Sequence, residues 1–189
     1  MTFILISGER NAGKTRVCNR VYRMLKADPS FAHIDYTTNL ASVVDLMAHF
    51  EKGGKHIVMN AASDNDDCME QFCTYLDGLA KKAVRPDIII TTIRETDVQH
   101  DQMSRMLALL DAYASGTANL AAHYVSGIKQ KPIHTPFAPD ALSTHAFVLH
   151  LEKQPVSGTE EEQEQALAPH WDKNADIAKQ MLDLAIARL

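Results

Sequence analysis

The chain has 189 residues, 46% of them hydrophobic and 23% charged, which suits one globular domain and excludes a disulfide-stapled miniprotein or a disordered tail. Nineteen Lys and Arg against 24 Asp and Glu leave a net charge of -5, so no basic excess points to nucleic acid or an anionic membrane. Cys18, Cys68 and Cys73 lack zinc-type pairing, and their odd number favours a reducing, cytoplasmic compartment.

Taken in chain order, the pattern alternates. Met1–Ser7 has no basic leader before its apolar run and is expected to be a strand, not a secretory signal. Phe3–Ile6 is continuous and apolar, as in a parallel strand buried on both faces. From Lys14 to Lys26, Val17, Cys18, Val21 and Leu25 recur at helical spacing. Phe31–Tyr36 is a second, more polar strand. Val43, Val44, Met47 and Phe50 then suggest a helical stripe that Gly53 and Gly54 end. His56–Met59 is the third strand, followed by a helix with Met69, Phe72, Cys73, Leu76 and Leu79 on one face. Asp87–Ile93 is the clearest strand, Met103–Tyr113 a helix, His145–Leu151 the last strand, and Ile177–Arg188 part of a C-terminal helix. Residues 118–144 break the rhythm and are expected to form a lid or edge insertion. Residues 154–170 are expected to be a loop before the last helix, with the Glu160–Glu162 run either solvated loop or a helix start. The expectation is one α/β domain, a three-layer α/β/α sandwich with a mainly parallel sheet. The longest apolar runs fall far short of the ~20 residues that span a bilayer.

One motif carries chemistry. Gly8, Glu9, Arg10, Asn11, Ala12, Gly13, Lys14 and Thr15 match G-x-x-x-x-G-K-[ST] without a gap. Two glycines let such a loop curl so that backbone N–H groups converge on a phosphate, and the helix that follows points its positive end at the same place. Lys14 then reaches β- and γ-phosphates, while the Thr15 hydroxyl can meet Mg²⁺. Arg16 is the next residue at that helix end. The bare pattern arises by chance in on the order of one chain in a hundred of this length, fewer with a strand before it and a helix after it. On these residues the chain resembles the P-loop (Walker A) NTPase superfamily. The resemblance covers eight residues and the order of elements. It implies ATP and Mg²⁺ as ligands, Gly8–Arg16 as the cradle, and Lys14 and Thr15 as phosphate and metal residues. Glu9 stands where ParA- and MinD-like ATPases carry a signature lysine.

That superfamily also has a strand ending in an acid that holds Mg²⁺ through water. His56–Met59 is followed by Asn60 instead. Asp64 is one substitute, although Asp64–Asp67 also suit a helix cap. Asp35, on the second strand, is the competing catalytic or metal acid. Arg94, at the end of the fourth strand, is the candidate cation for a transferring phosphoryl group, with a surface pair to Glu95 as the plainer alternative. No Asn-Lys-x-Asp signature selects guanine, so adenine is the default base. Lys129 and Lys131 suit either a lid or a solvated loop. The nine histidines show no zinc spacing, and Trp171 is expected to pack the last helix onto the sheet.

Two functions follow. The first is a small phosphotransferase or ATPase acting on a soluble metabolite or nucleotide. The second is a nucleotide-dependent switch or scaffold with slow hydrolysis, working with a protein partner or as a homodimer. Membrane and nucleic-acid partners are not indicated.

Overall fold

The computed structural model describes residues 1–38, 46–62, 66–94, 102–115 and 145–189. Among them, six strands and four helices follow one another as β1 (Thr2–Gly8), α1 (Lys14–Ala27), β2 (Ala32–Thr38), β3 (Leu46–Lys52), β4 (Lys55–Asn60), α2 (Asp66–Lys81), β5 (Ile88–Arg94), α3 (Gln102–Ala114), β6 (His145–Leu151) and α4 (Glu160–Arg188). The strands form one sheet in the order β2-β3-β4-β5-β1-β6.

The sheet is mixed. β4, β5, β1 and β6 run parallel, whereas β2, β3 and β4 pair antiparallel. Every residue of β1 is buried, which explains its unbroken apolar sequence. Ile4 and Ile6 face a core that α1 and α4 close with Val17, Val21, Ala178 and Leu182. Phe3 and Leu5 face the opposite way, against Met69, Phe72 and Leu76 of α2 and Leu110 of α3. Helices therefore cover both faces. Burying a side chain the size of Phe72 or Leu76 contributes about 1.5–3 kcal/mol.

Two expectations are corrected. The helical stripe read through Met47 and Phe50 is strand β3 over Leu46–Lys52. Met47 and Phe50 face opposite cores, Met47 with α2 and Phe50 with α1. A strand buried on both faces has no polar side to reveal its period, so a spacing of three imitates a helix. This strand is also why the sheet is not parallel throughout. Second, α4 begins at Glu160, so the Glu160–Glu162 run is a helix start and not a loop, and the helix continues through Pro169. Its start is a capping box: Thr159 Oγ1 accepts from Glu162 N, and Glu162 Oε2 accepts from Thr159 N. The proposed insertion, with Lys129 and Lys131, lies outside the described residues.

Gly53 and Gly54 turn the β3–β4 hairpin at φ of 58° and 75°, with no atom within 4 Å of an added Cβ. Gly78, inside α2, has equally open space but helical backbone. Backbone conformation alone should therefore decide the sign of substitution. Gly53→Ala is expected to cost about 1 kcal/mol and Gly78→Ala to gain about 0.5–1 kcal/mol. Thermal unfolding should move by about 2–4 °C per kcal/mol, downward for the first and upward for the second. Shifts of the same sign would show that side-chain contacts, not backbone, dominate at these turns.

Candidate functional site

The carboxyl ends of β1, β5 and β6 meet at one edge. Gly8 is level with Arg94 on one side and Leu151 on the other. From Gly8 the chain turns over this edge and enters α1 at Lys14. A Cβ on Gly8 would stand 2.6 Å from the Leu151 carbonyl oxygen, so the close approach of β6 excludes a side chain. Asn11 carries a positive φ of 63°, a conformation asparagine tolerates better than most residues. Ala12 N donates to Glu9 O at 3.2 Å, closing the turn.

α1 starts without help. Its N-cap is Gly13, at φ 89°, which supplies no side-chain hydrogen bond, and no acid occupies the first turn. The positive end of the helix dipole is thus left uncompensated by side chains, a setting that favours an anion. Lys14 is 5% exposed, and its Nζ donates to Glu9 O at 2.8 Å, folding the ammonium back over the loop. Thr15 Oγ1 donates to Ala61 O at 3.0 Å, just past β4. That bond uses the hydroxyl hydrogen and leaves oxygen lone pairs for a cation. Asn11, Gly13, Lys14, Thr15, Arg16 and Trp171 line a cavity of about 210 Å³ here.

Behind the loop, Asn60 organises the sheet edge. It is fully buried; its Nδ2 donates to Ala62 O at 2.8 Å and to Thr91 Oγ1 at 3.1 Å, and its Oδ1 accepts from Ala62 N at 3.1 Å. Asn60 therefore shapes the turn that presents the Ala61 carbonyl to Thr15. Ser7 Oγ, also fully buried, has no hydrogen-bond partner among the described residues.

The other expected residues divide into three groups. Arg94, partly buried, stands beside Gly8 at the loop edge, while Glu95 lies outside the described residues. Asp35 is not brought to the loop. β2 is four strands from β1, roughly 19 Å at ordinary spacing, and Asp35 sits within the strand, level through His49, Val58 and Ile89 with Phe3. Its charge instead adds to the rise that burial gives the Tyr75 hydroxyl pKa. Asp64 lies outside the described residues. Glu9 and Arg10 are exposed on the loop.

Two features escaped sequence reasoning. Trp171 lies against Gly13, not only against the sheet, and nothing in its local sequence signals a partner so far along the chain. His49 and His56 meet across the hairpin, Nε2 to Nδ1 at 3.0 Å, a proximity that register creates and linear spacing conceals. Burial first, then the neighbouring His56 charge, lowers the His49 pKa. No cluster of three or more His, Cys, Asp or Glu able to hold a metal occurs among the described residues. All three cysteines are buried and none is in a disulfide, with burial pushing the Cys18 and Cys73 thiols up to about 12. No described helix is long and apolar enough to cross a membrane.

Comparison with protein-family models, with curated proteins and with solved structures gives no match.

Asn60→Ala is expected to cost about 2–4 kcal/mol, since it removes the buried acceptor of Ala62 N and the donor to Ala62 O and Thr91 Oγ1. Asn60→Asp should cost a similar amount at neutral pH, because a carboxylate accepts but cannot donate. Its deficit relative to the parent should shrink as pH falls, when the protonated carboxyl regains one donor. Denaturant unfolding of both variants at pH 7 and pH 5 checks this; a neutral Asn60→Asp would refute the structural role.

Proposed function

We propose that the chain is an ATP- and Mg²⁺-binding protein of the P-loop type, acting as a small phosphotransferase or ATPase on a soluble metabolite or nucleotide. The observation that carries this reading is the Gly8–Thr15 turn. It joins the end of a central parallel strand to a helix with no side-chain cap and no acid in its first turn. A polyphosphate suits such a place because it accepts from backbone N–H groups and is attracted by the helix dipole. In this reading Lys14 leaves the Glu9 carbonyl for the phosphates, a charge-assisted bond replacing a neutral acceptor. Thr15 fits as one ligand of Mg²⁺, since its hydroxyl hydrogen is already committed to Ala61. The ion would neutralise phosphate charge there. Arg94, level with Gly8, is within the same edge and would steady charge that shifts during transfer.

A second cavity favours an acceptor site. It measures about 500 Å³ and is lined by Met47, Asp67, Glu70, Gln71, Thr74 and Tyr75. Met47 pairs with Asn60, so this cavity opens at the sheet edge that also carries the loop. Its acids repel polyphosphate and suit a neutral or cationic acceptor. The Tyr75 hydroxyl is buried there without a hydrogen-bond partner among the described residues.

The second reading, a slow nucleotide switch with a protein or homodimer partner, is favoured by Asn60. The strand position that an acid would occupy is engaged in structural hydrogen bonds. ADP release measured with and without small acceptors separates the two readings. Acceptor-dependent release supports transfer, whereas tight binding with little turnover and a change of oligomeric state supports the switch.

Lys14→Ala is expected to weaken ATP binding by about 1.5–3 kcal/mol, roughly ten- to hundredfold, with folding retained. Calorimetric titration checks it, and unchanged affinity in a folded variant would eliminate the nucleotide reading. Arg94→Ala is expected to lower kcat by on the order of 10²-fold with little change in KM, and Arg94→Lys to restore only part of it. Intact turnover in both Arg94 variants would remove that residue from catalysis and move the switch reading ahead.

A further inference from the structure

The cavity at the start of α1 has one wall that the glycine loop does not supply. Trp171, from α4, is 6% exposed, and the pyrrole edge of its indole faces Gly13. The atom nearest an added Cβ at Gly13 would be Trp171 Nε1, followed by Cδ1 at 2.9 Å and Cε2 at 3.1 Å. The N–H edge therefore points at the loop. That N–H makes no hydrogen bond to any described residue, and its nitrogen is not among the buried polar atoms left without a partner, so it is reached from the cavity that Trp171 helps to line.

The surroundings hold the ring in this orientation. Arg16 and Arg20 of α1 place their guanidinium carbons 5.9 Å and 5.1 Å from the ring centroid. Each arginine is in turn tied to α4, Arg16 to Glu164 at 3.2 Å and Arg20 to Asp172. Glu164 and Asp172 offset those two cations, so the preference for an anion comes from the indole N–H, a donor only, beside the positive end of α1. A base would meet the ring through its face, but the guanidinium groups lie over the ring.

We propose that the Trp171 indole N–H donates to a phosphate oxygen of the polyphosphate bound in the glycine loop, making α4 part of the ligand site. This rests on the nucleotide reading given above and adds to it a residue that the loop motif does not contain. Gly13 is then required twice, for its positive φ and because any side chain there would displace the indole.

Trp171 is the only tryptophan, so its indole gives a single ¹⁵N–¹H resonance that reports on this N–H alone. The resonance should shift saturably on titration with inorganic pyrophosphate and with ATP, each in the presence of Mg²⁺. Trp171→Phe, which keeps an aromatic ring and loses the donor, should weaken both ligands about tenfold by calorimetry. Lys14→Ala serves as the reference for loss of phosphate binding. Loss confined to ATP would overturn the proposal in favour of base contact. An unmoved indole resonance at saturation would overturn it even if Trp171→Phe failed to fold. If Lys14→Ala weakens binding and Trp171→Phe does not, this inference fails while the nucleotide reading stands. If the parent chain binds neither ligand, both fail together.

Discussion

The candidate site depends on how β1 is enclosed. It is hydrogen-bonded on both sides, by β5 and β6, and covered on both faces by helices. A strand so enclosed leaves its chain one exit, over the carboxyl edge. There Gly8 passes the Leu151 carbonyl at a distance that excludes a Cβ. The tight exit is what produces a short loop, and the short loop delivers α1 with its positive end at the edge. Glycine spacing, strand burial and helix polarity are thus one geometric requirement expressed in three places.

The loop is laced to its surroundings from two directions. Thr15 bonds Ala61 just past β4, where Asn60 is itself bonded to Thr91 on β5, and Trp171 of α4 rests on Gly13. These contacts are mostly buried or partly buried, where hydrogen bonds are stronger than at the surface. The Arg16–Glu164 pair is about as exposed as a surface pair and adds little stability by itself. Its role is orientation, since it joins the first turn of α1 to the N-terminal arm of α4. A ligand that changed the position of Arg16 would be felt along that arm. Pro169, which lacks an N–H to donate within α4, lies between Glu164 and Trp171.

How much of this was legible in the sequence varies with the physics of each element. The strand–loop–helix at the amino end was readable because its signals are local: an apolar run, two glycines, then Val17, Val21 and Leu25 at helical spacing. β3 was not, because Met47 and Phe50 serve two different cores and a fully buried strand shows no alternation. The α4 start was marked by Thr159 and Glu162, whose capping box settles the acidic run as helix, and the helix then runs through Pro169. Arg94 was placed at the edge by strand length alone. Asp35 went astray because a linear reading does not reveal that two antiparallel strands stand between β2 and β5. Trp171 against Gly13 is a contact between chain ends, and no local pattern encodes such a meeting.

The identity of residue 60 shows how structural and chemical demands compete at one position. The turn after β4 needs an acceptor for Ala62 N and donors for Ala62 O and Thr91, and one carboxamide provides all of these. A carboxylate there would satisfy Ala62 N but set its charge against the Ala62 carbonyl in a fully buried setting. The same turn presents Ala61 O to Thr15, so the hydroxyl's orientation rests on the amide. Asn60 thus trades a charge for a network that holds the Thr15 hydroxyl in place, the group that would meet Mg²⁺ in the proposed reading. A carboxylate serving such an ion would have to come from another segment, leaving β4 free to act as the fixed support of the loop. If the proposed nucleotide binds, its affinity would be governed by backbone, Lys14 and Thr15, and any catalytic rate by groups brought to the edge beside them. Affinity and turnover would then be separable properties of the same fold.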